Sequence, residues 1–282
     1  ERYVEIDHRQ GRVGPPWYQP VADFIKLMAK EDLLPEGANA RVAALLPMLA
    51  FATVLTAGLY VPVAGRSALS FEGDLIVVLF LLSLPALAYF LAGWVSVGVY
   101  SILGGHRSLL QYFSYEIPFL MALSGPAILA GSWNLSEIAA RQAEVGWGLL
   151  QQPLGFLLAL VGLIGKLKRD PLDIPKAKSE VVAGSLTEFS GRKLALWHLS
   201  MDMQTVVGIF LIINTFFGGA SAWGFVPTSL IFAAKACGIM ILLSVVSALY
   251  ARLRIDQLAT LGWRVLAPLA MIQRLVTIWM GR

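Results

Sequence analysis

The sequence contains a single cysteine, Cys237, among its 282 residues. One cysteine excludes a disulfide within the chain, and it excludes iron–sulfur or zinc sites built from four cysteines. Any redox centre that works with this protein must therefore be held by another chain. Charged residues are also scarce, at 14%. Because neither an HExxH helix nor a nucleophile motif is present, an enzyme of those classes is disfavoured.

Apolar residues dominate the composition. Hydrophobic residues make up 57% of the chain and the mean hydropathy is +0.69, far above the averages for soluble globular proteins. The prediction is an all-α polytopic membrane protein with one membrane domain, residues 1–282. Crossing roughly 30 Å of hydrocarbon takes about 20 residues, and seven segments qualify. They are Val42 to Val63, Leu75 to Tyr100, Leu109 to Ala130, Val145 to Gly165, Leu194 to Phe217, Trp223 to Tyr250 and Ala259 to Met280. Prolines inside these segments predict kinked or broken spans.

An amphipathic helix is predicted over residues 15–34, before the first span. Its apolar residues recur at spacings of three and four, and its charged residues take the other side. Because it is too short and too charged to span, we expect it to lie at the membrane interface. A helix packed on a soluble partner is a compatible alternative. The apolar set is Trp17, Val21, Phe24, Ile25 and Met28, and the charged set includes Asp23 and Lys26.

The basic residues indicate the orientation of the chain. Counting Arg264, near the start of the last span, seventeen lysines and arginines fall on one side of the predicted spans, and three fall on the other. The positive-inside rule places the richer side in the cytoplasm. That side carries the amphipathic helix, a charged loop from Lys166 to Lys193, and the ARLRID turn with Arg252 and Arg254. The sequence pI near 9.2 therefore reflects membrane orientation and not nucleic-acid binding.

Ionisable residues inside the spans are the candidates for function, because a charge in hydrocarbon is costly. Glu116, in the segment SYEIP, is the clearest, and we expect it to exchange protons with Lys235 or water as its partner. Lys235 could equally form a structural ion pair. His198 and Asp202 lie one helical turn apart, as a hydrogen-bonded pair or a packing pair. Arg274 is close enough to a span end to reach the interface.

The charged loop contains ordered turn signals. Proline at position 175 suits the first turn of a short helix from about Lys176 to Ala183 that stops at Gly184. Lys176 and Glu180 are four residues apart on that helix and could pair. A second turn closed by Gly191 would hold Glu188. A run of charges is ordinarily a solvated surface, but these turn signals favour an ordered loop.

Four segments carry a resemblance to a known family. RDPLDIPKAKSEVVAGSLTEFSGRK resembles the signature of the heel subunit of respiratory complex I and of its counterparts in the group 4 membrane-bound nickel–iron hydrogenases. QGRVGPPWYQPVADFIKLMAKEDLLP, SYEIP and ARLRID match further positions, so the resemblance covers most of the chain. The family's first span would precede Glu1, which gives eight spans in all.

The resemblance implies a non-catalytic membrane subunit. Such a subunit docks a hydrophilic electron-transfer module and relays its redox energy to proton or sodium pumping. It implies no cofactor in this chain, with iron–sulfur clusters and a nickel–iron centre in hydrophilic cytoplasmic partners, and antiporter-like subunits beside it in the plasma membrane. Asp173, Glu180, Glu188 and Glu116 match acidic family positions.

Two departures from the pattern, Lys176 and Lys178, stand where the family has acids. They favour hydrogenase-like or ferredoxin-linked complexes over a quinone enzyme. The candidate residues fall into three groups: an ion relay of Glu116, Lys235, Asp202 and His198; a coupling loop with Asp170, Asp173, Lys176, Lys178, Glu180 and Glu188; and a docking surface of Arg12, Trp17, Asp23, Lys26, Arg252 and Arg254.

Three other functions stay open from the sequence. One is the quinone-site subunit of an NADH dehydrogenase-like complex. Another is a free-standing secondary transporter that uses Glu116 and Lys235. The third is an intramembrane enzyme, such as a lipid-modifying transferase, with the cytoplasmic acids as metal ligands.

Overall fold

The computed structural model describes Pro16, residues 18–220 and residues 227–280, and this part of the chain is helical without a β-strand, as predicted. Its first element, α1, spans Gln19–Ala29 and has Pro20 in its first turn, where a missing amide N–H costs little. No residue of α1 is buried, and Val21 and Ile25 are each 61% exposed. The helix is shorter than the predicted range because the backbone becomes extended at Lys30.

Six described helices are long and apolar enough to cross a membrane. The helices that follow α1 are α2 (Ala40–Tyr60), α3 (Asp74–Val95), α4 (Val99–Ala130), α5 (Leu135–Val145), the single turn α6 (Gly148–Gln151), α7 (Pro153–Leu167), the single turn α8 (Lys178–Val181), α9 (Gly191–Phe216), α10 (Thr228–Leu249) and α11 (Ile255–Met280). The six spans are α2, α3, α4, α9, α10 and α11. A π-helical segment, Leu261–Leu266, lies within α11.

The fourth predicted span, Val145 to Gly165, is shorter than expected. It corresponds to α7, whose 15 residues extend about 22 Å at 1.5 Å per residue, less than the roughly 30 Å of hydrocarbon. The backbone leaves the helical region at Gln152, with φ −136° and ψ 64°. Pro153, predicted to kink a continuous span, instead begins the helix.

The third predicted span is longer than expected. Its helix, α4, begins at Val99 and not at Leu109, and its 32 residues extend about 48 Å. Val97, with φ 59°, interrupts the helical backbone between α3 and α4. His106 and Arg107, which the predicted spans leave in a connection, therefore lie on a rigid helix.

Helix α4 lies at the centre of the bundle, packed against α3, α7 and α11. Glycines let the neighbouring backbones approach it closely: a Cβ at Gly162 would lie 2.6 Å from the Phe119 ring, and one at Gly165 would lie 2.8 Å from the Tyr115 ring. Phe119 belongs to the main buried apolar cluster. These contacts fix the middle of α4 relative to α7.

The charged loop folds back onto α4 and does not project away from the bundle. The predicted helix over Lys176 to Ala183 is reduced to the single turn α8, followed by a 3₁₀ turn, Gly184–Leu186. The predicted stop at Gly184 is wrong, because the single turn already ends at Val181, and Gly184, with φ +62°, instead begins the 3₁₀ turn. The 3₁₀ turn lies directly against α4, because a Cβ at Gly104 would be 2.5 Å from the Cα of Gly184.

We expect Gly104→Ala to destabilise the protein. The added methyl group would lie between two backbones that have no space to separate, and overpacking of this kind costs about 1–3 kcal/mol. The measurement is the thermal unfolding temperature of the detergent-solubilised protein. Gly238→Ala on α10 is the control, because a Cβ there meets nothing within 4 Å and alanine favours a helix. An unchanged unfolding temperature in Gly104→Ala would contradict the close contact.

Candidate functional site

Glu116 and Lys166 form a buried ion pair between α4 and α7. The Nζ atom of Lys166 donates a hydrogen bond to Oε1 of Glu116 at 2.9 Å, and the side chains of Lys166 and Glu116 are 1% and 7% exposed, respectively. The sequence correctly places Glu116 inside the bundle. The prediction that Lys235 is the partner of Glu116 is wrong. Lys166, which the sequence places among the surface charges of the loop, is the partner and is buried.

Aromatic rings and an amide support this pair. Lys166 Nζ lies 5.2 Å from the centroid of the Phe119 ring and 6.0 Å from that of Tyr115, close enough for cation–π attraction. The buried amide of Gln111 donates to the carbonyls of Gly165 and Leu172 at 2.8 and 2.7 Å. These bonds hold the end of α7 and the start of the charged loop against α4.

Lys168 lies just beyond the ion pair, at the end of α7. Its side chain is buried, with Nζ 4.3 Å from the centroid of the Tyr89 ring. Burial, reinforced by the nearby ammonium groups of Lys176 and Lys166, lowers the pKa of Lys168 to about 7, although Asp173 opposes the shift. Lys168 can therefore change its charge near neutral pH.

Lys176 is half-buried and lies between the charged loop and α9. Its Nζ atom contacts the sulfur of Met201 on α9 at 2.8 Å. Burial lowers the pKa of Lys176, while the carboxylates of Asp173 and Asp202 oppose the shift. The predicted pair between Lys176 and Glu180 is wrong, because Glu180 is bonded to two arginines.

His198 and Asp202 lie on α9 with both side chains exposed. Within the described residues no hydrogen bond joins them. Because both are exposed, neither belongs to the buried Glu116–Lys166 pair. Asp23 of α1 is near enough to His198 to act on its charge. The two residues therefore lie at the junction of α1 and α9.

Glu180 connects three parts of the chain. Its carboxylate accepts hydrogen bonds from Arg107 on α4 and, at 2.7 Å, from Arg252 before α11. The Arg107 hydrogen bond is the main reason that the pKa of Glu180 lies below its ordinary value. The carboxylate thus links the charged loop, α4 and the ARLRID turn.

The other predicted loop residues have separate positions. Glu188 is half-buried at the amino end of α4, where a Cβ at Gly98 would lie 2.7 Å from its Oε1 atom and where the helix dipole favours a carboxylate. Asp170 is exposed, and its backbone carbonyl accepts a hydrogen bond from the Ser247 hydroxyl at 2.7 Å. The side chain of Lys178 lies outside the described part of the structure.

Ser190 ties the segment after α1 to the end of the charged loop. Its hydroxyl accepts from the backbone N–H of Leu33 at 2.8 Å and donates to the carbonyl of Glu31 at 3.1 Å. Asp32 accepts from the backbone N–H of Lys193 at 3.4 Å. Among the predicted docking residues, Asp23, Lys26 and Arg254 are exposed, whereas Arg12 and Trp17 lie outside the described residues.

Lys235 lies at the other end of the bundle from the charged loop. Its Nζ atom donates to the carbonyls of Phe217 and Gly219 at 2.7 and 2.8 Å, just beyond the carboxyl end of α9. It also lies 5.6 Å from the centroid of the Trp147 ring. A cation at a helix carboxyl end is stabilising. This geometry is that of a structural cap.

Sequence reasoning missed three residues of the site: Lys166, Arg107 and Gln111. Lys166 adjoins a charged run, so nothing in its local sequence distinguished it from a surface lysine. Gln111 and Arg107 precede Glu116 by five and nine residues, and a longer helix would have placed all three on α4. In the described part of the chain, no group of three His, Cys, Asp or Glu side chains is placed to hold a metal.

Comparison with known proteins identifies the family of the chain. The family model described as NADH dehydrogenase matches residues 5–278. The chain belongs to the NADH dehydrogenase family. It is 36% identical over 279 residues to one subunit of the NADH-quinone oxidoreductase of Bacillus mycoides (strain KBAB4) and to the same subunit of Bacillus cereus (strain B4264), covering 95% of this chain and 84% of each relative.

A solved structure of the membrane-bound sulfane sulfur reductase, an archaeal respiratory membrane complex, contains a similar chain. The TM-score is 0.89 at 25% identity, over 98% of this chain and 92% of that one. Together, these comparisons identify the protein as a multi-pass membrane subunit of a redox complex, and they confirm the resemblance that its motifs carry.

We expect Glu116→Leu to lower the unfolding free energy by about 3–5 kcal/mol, because it leaves the buried ammonium of Lys166 unpaired. The double substitution Glu116→Leu with Lys166→Met should recover most of that loss, since no buried charge remains. Thermal unfolding in detergent measures both. A double variant as unstable as the single one would show that the pair is not the source of the effect.

Stability should also depend on the charge of Lys168. Between about pH 7 and pH 10.5 the unfolded chain binds a proton at Lys168 that the folded chain lacks. The unfolding free energy contributed by this residue therefore increases as pH rises through that range. Lys168→Asn removes the charge with a residue that tolerates the local φ of 47°, and it should flatten the pH dependence of the unfolding temperature. Lys26→Asn, on the exposed surface of α1, should leave that dependence unchanged.

Proposed function

We propose that this chain is the membrane-anchor and coupling subunit of an ion-translocating redox complex. It holds a hydrophilic electron-transfer module on the face that carries the charged loop, and it passes redox energy through buried charges to proton or sodium pumping. The observation that carries the proposal is the buried Glu116–Lys166 pair at the base of that loop. We further propose that the loop face is cytoplasmic and that the membrane is the plasma membrane.

The coupling begins with charge in the loop. A unit charge that appears about 10 Å from an ionisable group, at an effective dielectric near 20, changes its energy by roughly 1.7 kcal/mol. At about 30 Å the effect is a third of that. A redox event in a docked module therefore acts directly on the loop, but a relay is needed to reach ion-translocating subunits further away.

The relay that we propose runs through lysines and acids at the end of α7. Lys176 and Asp173 act electrostatically on Lys168, and Lys168 in turn is influenced by Lys166, which is hydrogen-bonded to Glu116. Because Lys168 changes its charge near neutral pH, a charge that appears in the loop can change its protonation. The new charge on Lys168 then alters the electrostatic energy of the Glu116–Lys166 pair. Lys235 has no part in this relay, since it caps α9 at the opposite end.

The anchoring role rests on the links between surface segments. Ser190 binds the segment after α1, and Glu180 binds the turn before α11. One connected surface therefore combines α1, the charged loop and the ARLRID turn. We propose that nickel–iron hydrogenase-like and iron–sulfur subunits dock there, and that antiporter-like subunits adjoin the chain in the bilayer. In this proposal the chain itself binds no cofactor, and the iron–sulfur clusters and a nickel–iron centre belong to the docked subunits.

The second candidate is a subunit that forms part of a quinone site. The name of the Bacillus relatives, which are subunits of an NADH-quinone oxidoreductase, favours it. The basic residues at positions 176 and 178, in place of family acids, and the fold shared with a sulfane sulfur reductase complex favour a quinone-independent partner. Both candidates share the anchoring surface and the buried pair.

The test is Glu116→Gln in the complex purified from native membranes. Glutamine keeps an oxygen that can accept from Lys166, so assembly should be normal, but it cannot exchange a proton. Electron transfer should continue while the number of ions pumped per electron falls severalfold. The measurement combines the redox assay with ion uptake into vesicles that contain the complex.

The control is Glu137→Gln on α5, an exposed acid remote from the loop, which should pump normally. Normal pumping in Glu116→Gln would refute the relay. Purification of the wild-type chain alone, active as a carrier and without iron–sulfur subunits, would refute the proposed function and favour a secondary transporter.

A further inference from the structure

A cleft with a volume of about 240 Å³ opens between α4, the charged loop and the start of α11. Ile174 and Leu253 give it an apolar base. Its charged groups are Arg107, Glu180, Arg252, Arg254 and Asp256. The proposed relay uses none of these charges, so the cleft needs its own explanation.

The inner part of the cleft already binds one carboxylate. Glu180 lies between two guanidinium groups, with one of its oxygens bonded to Arg107 and the other to Arg252. Its side chain is nevertheless 48% exposed. This arrangement demonstrates that the spacing of the arginines suits a carboxylate, the group whose geometry a guanidinium matches with paired hydrogen bonds.

The third guanidinium, that of Arg254, also lines the cleft. The residue is exposed, and within residues 18–220 and 227–280 it forms no ion pair. Arg254 precedes the first turn of α11, where its backbone N–H donates to the Gln257 side chain at 3.0 Å. The backbone of Arg254 is therefore held by a hydrogen bond while the residue stays exposed.

We propose that this cleft receives an acidic segment of the docked hydrophilic subunit, with an Asp or Glu side chain on Arg254. This inference rests on the proposed function and identifies one of its contacts. The cleft contains three guanidinium groups and two carboxylates, so it favours a single added negative charge. A polypeptide also offers amide and basic groups to Glu180 and Asp256, whereas the phosphate group of a lipid is repelled by both carboxylates.

The first experiment compares Arg254→Glu with Arg41→Glu, a matched charge reversal at an exposed residue in the first turn of α2, outside the cleft and outside the three segments of the anchoring surface. Membranes that contain the whole complex are washed with increasing salt, and the released hydrophilic subunits are quantified. Arg254→Glu should weaken retention of the module about tenfold, equivalent to about 1.4 kcal/mol, while Arg41→Glu should resemble the wild type. Equal release from the two variants overturns the inference.

The second experiment identifies the occupant. A photoreactive benzoylphenylalanine at position 256 is irradiated in the intact complex, and the adduct is mapped by mass spectrometry. The expected adduct is a segment of the hydrophilic subunit that contains Asp or Glu, and reversal of that acid to Arg should restore retention in Arg254→Glu. An adduct only with phospholipid, or with a segment that lacks acids, overturns the inference while leaving the anchoring function intact. Absence of any hydrophilic subunit from the wild-type complex overturns both.

Discussion

The cost of burying charge is the constraint on which the structure depends. An ammonium and a carboxylate inside an apolar bundle must neutralise each other, and further contacts lower the cost that remains. Glu116 and Lys166 meet the first condition directly, and the rings of Tyr115 and Phe119 surround the cation. The pair requires α7 to end beside the middle of α4, so it also fixes the point where the charged loop begins.

From that point the loop is held on several sides. Gln111 binds the carbonyls at its start, Glu180 binds two arginines in its middle, and Ser190 binds the segment after α1 at its end. The close contact between Gly104 and Gly184 leaves no room for a side chain between loop and helix. A charged connection in a membrane protein is commonly solvated, but this one is a packed part of the bundle.

Most of the fold could be predicted from the sequence, because long apolar segments and the bias of basic residues are strong signals. Helix ends were less predictable. Hydropathy ends a span at the first charged residue, yet α4 continues through His106 and Arg107, and α7 is cut short at Gln152. Only one partner of the buried pair could be predicted. Glu116 is an isolated charge in an apolar segment, whereas Lys166 looks like the first charge of the loop. The assignment of Lys235 as the partner of Glu116 failed because Lys235 instead caps the carboxyl end of α9. That contact forms only in the folded structure, and the sequence around Lys235 gives no signal of it.

The unbroken course of α4 gives the molecule a mechanical property. From Arg107 to Glu116 the helix contains neither glycine nor proline, so this segment forms a stiff rod about 13.5 Å long, nine steps at 1.5 Å each. One end of the rod is held by Glu180 at the surface, and the other presents a carboxylate to Lys166. A force that turns the outer end must also turn the inner one. The surface and the buried charge are thus coupled mechanically, through the rigid helix, as well as electrostatically.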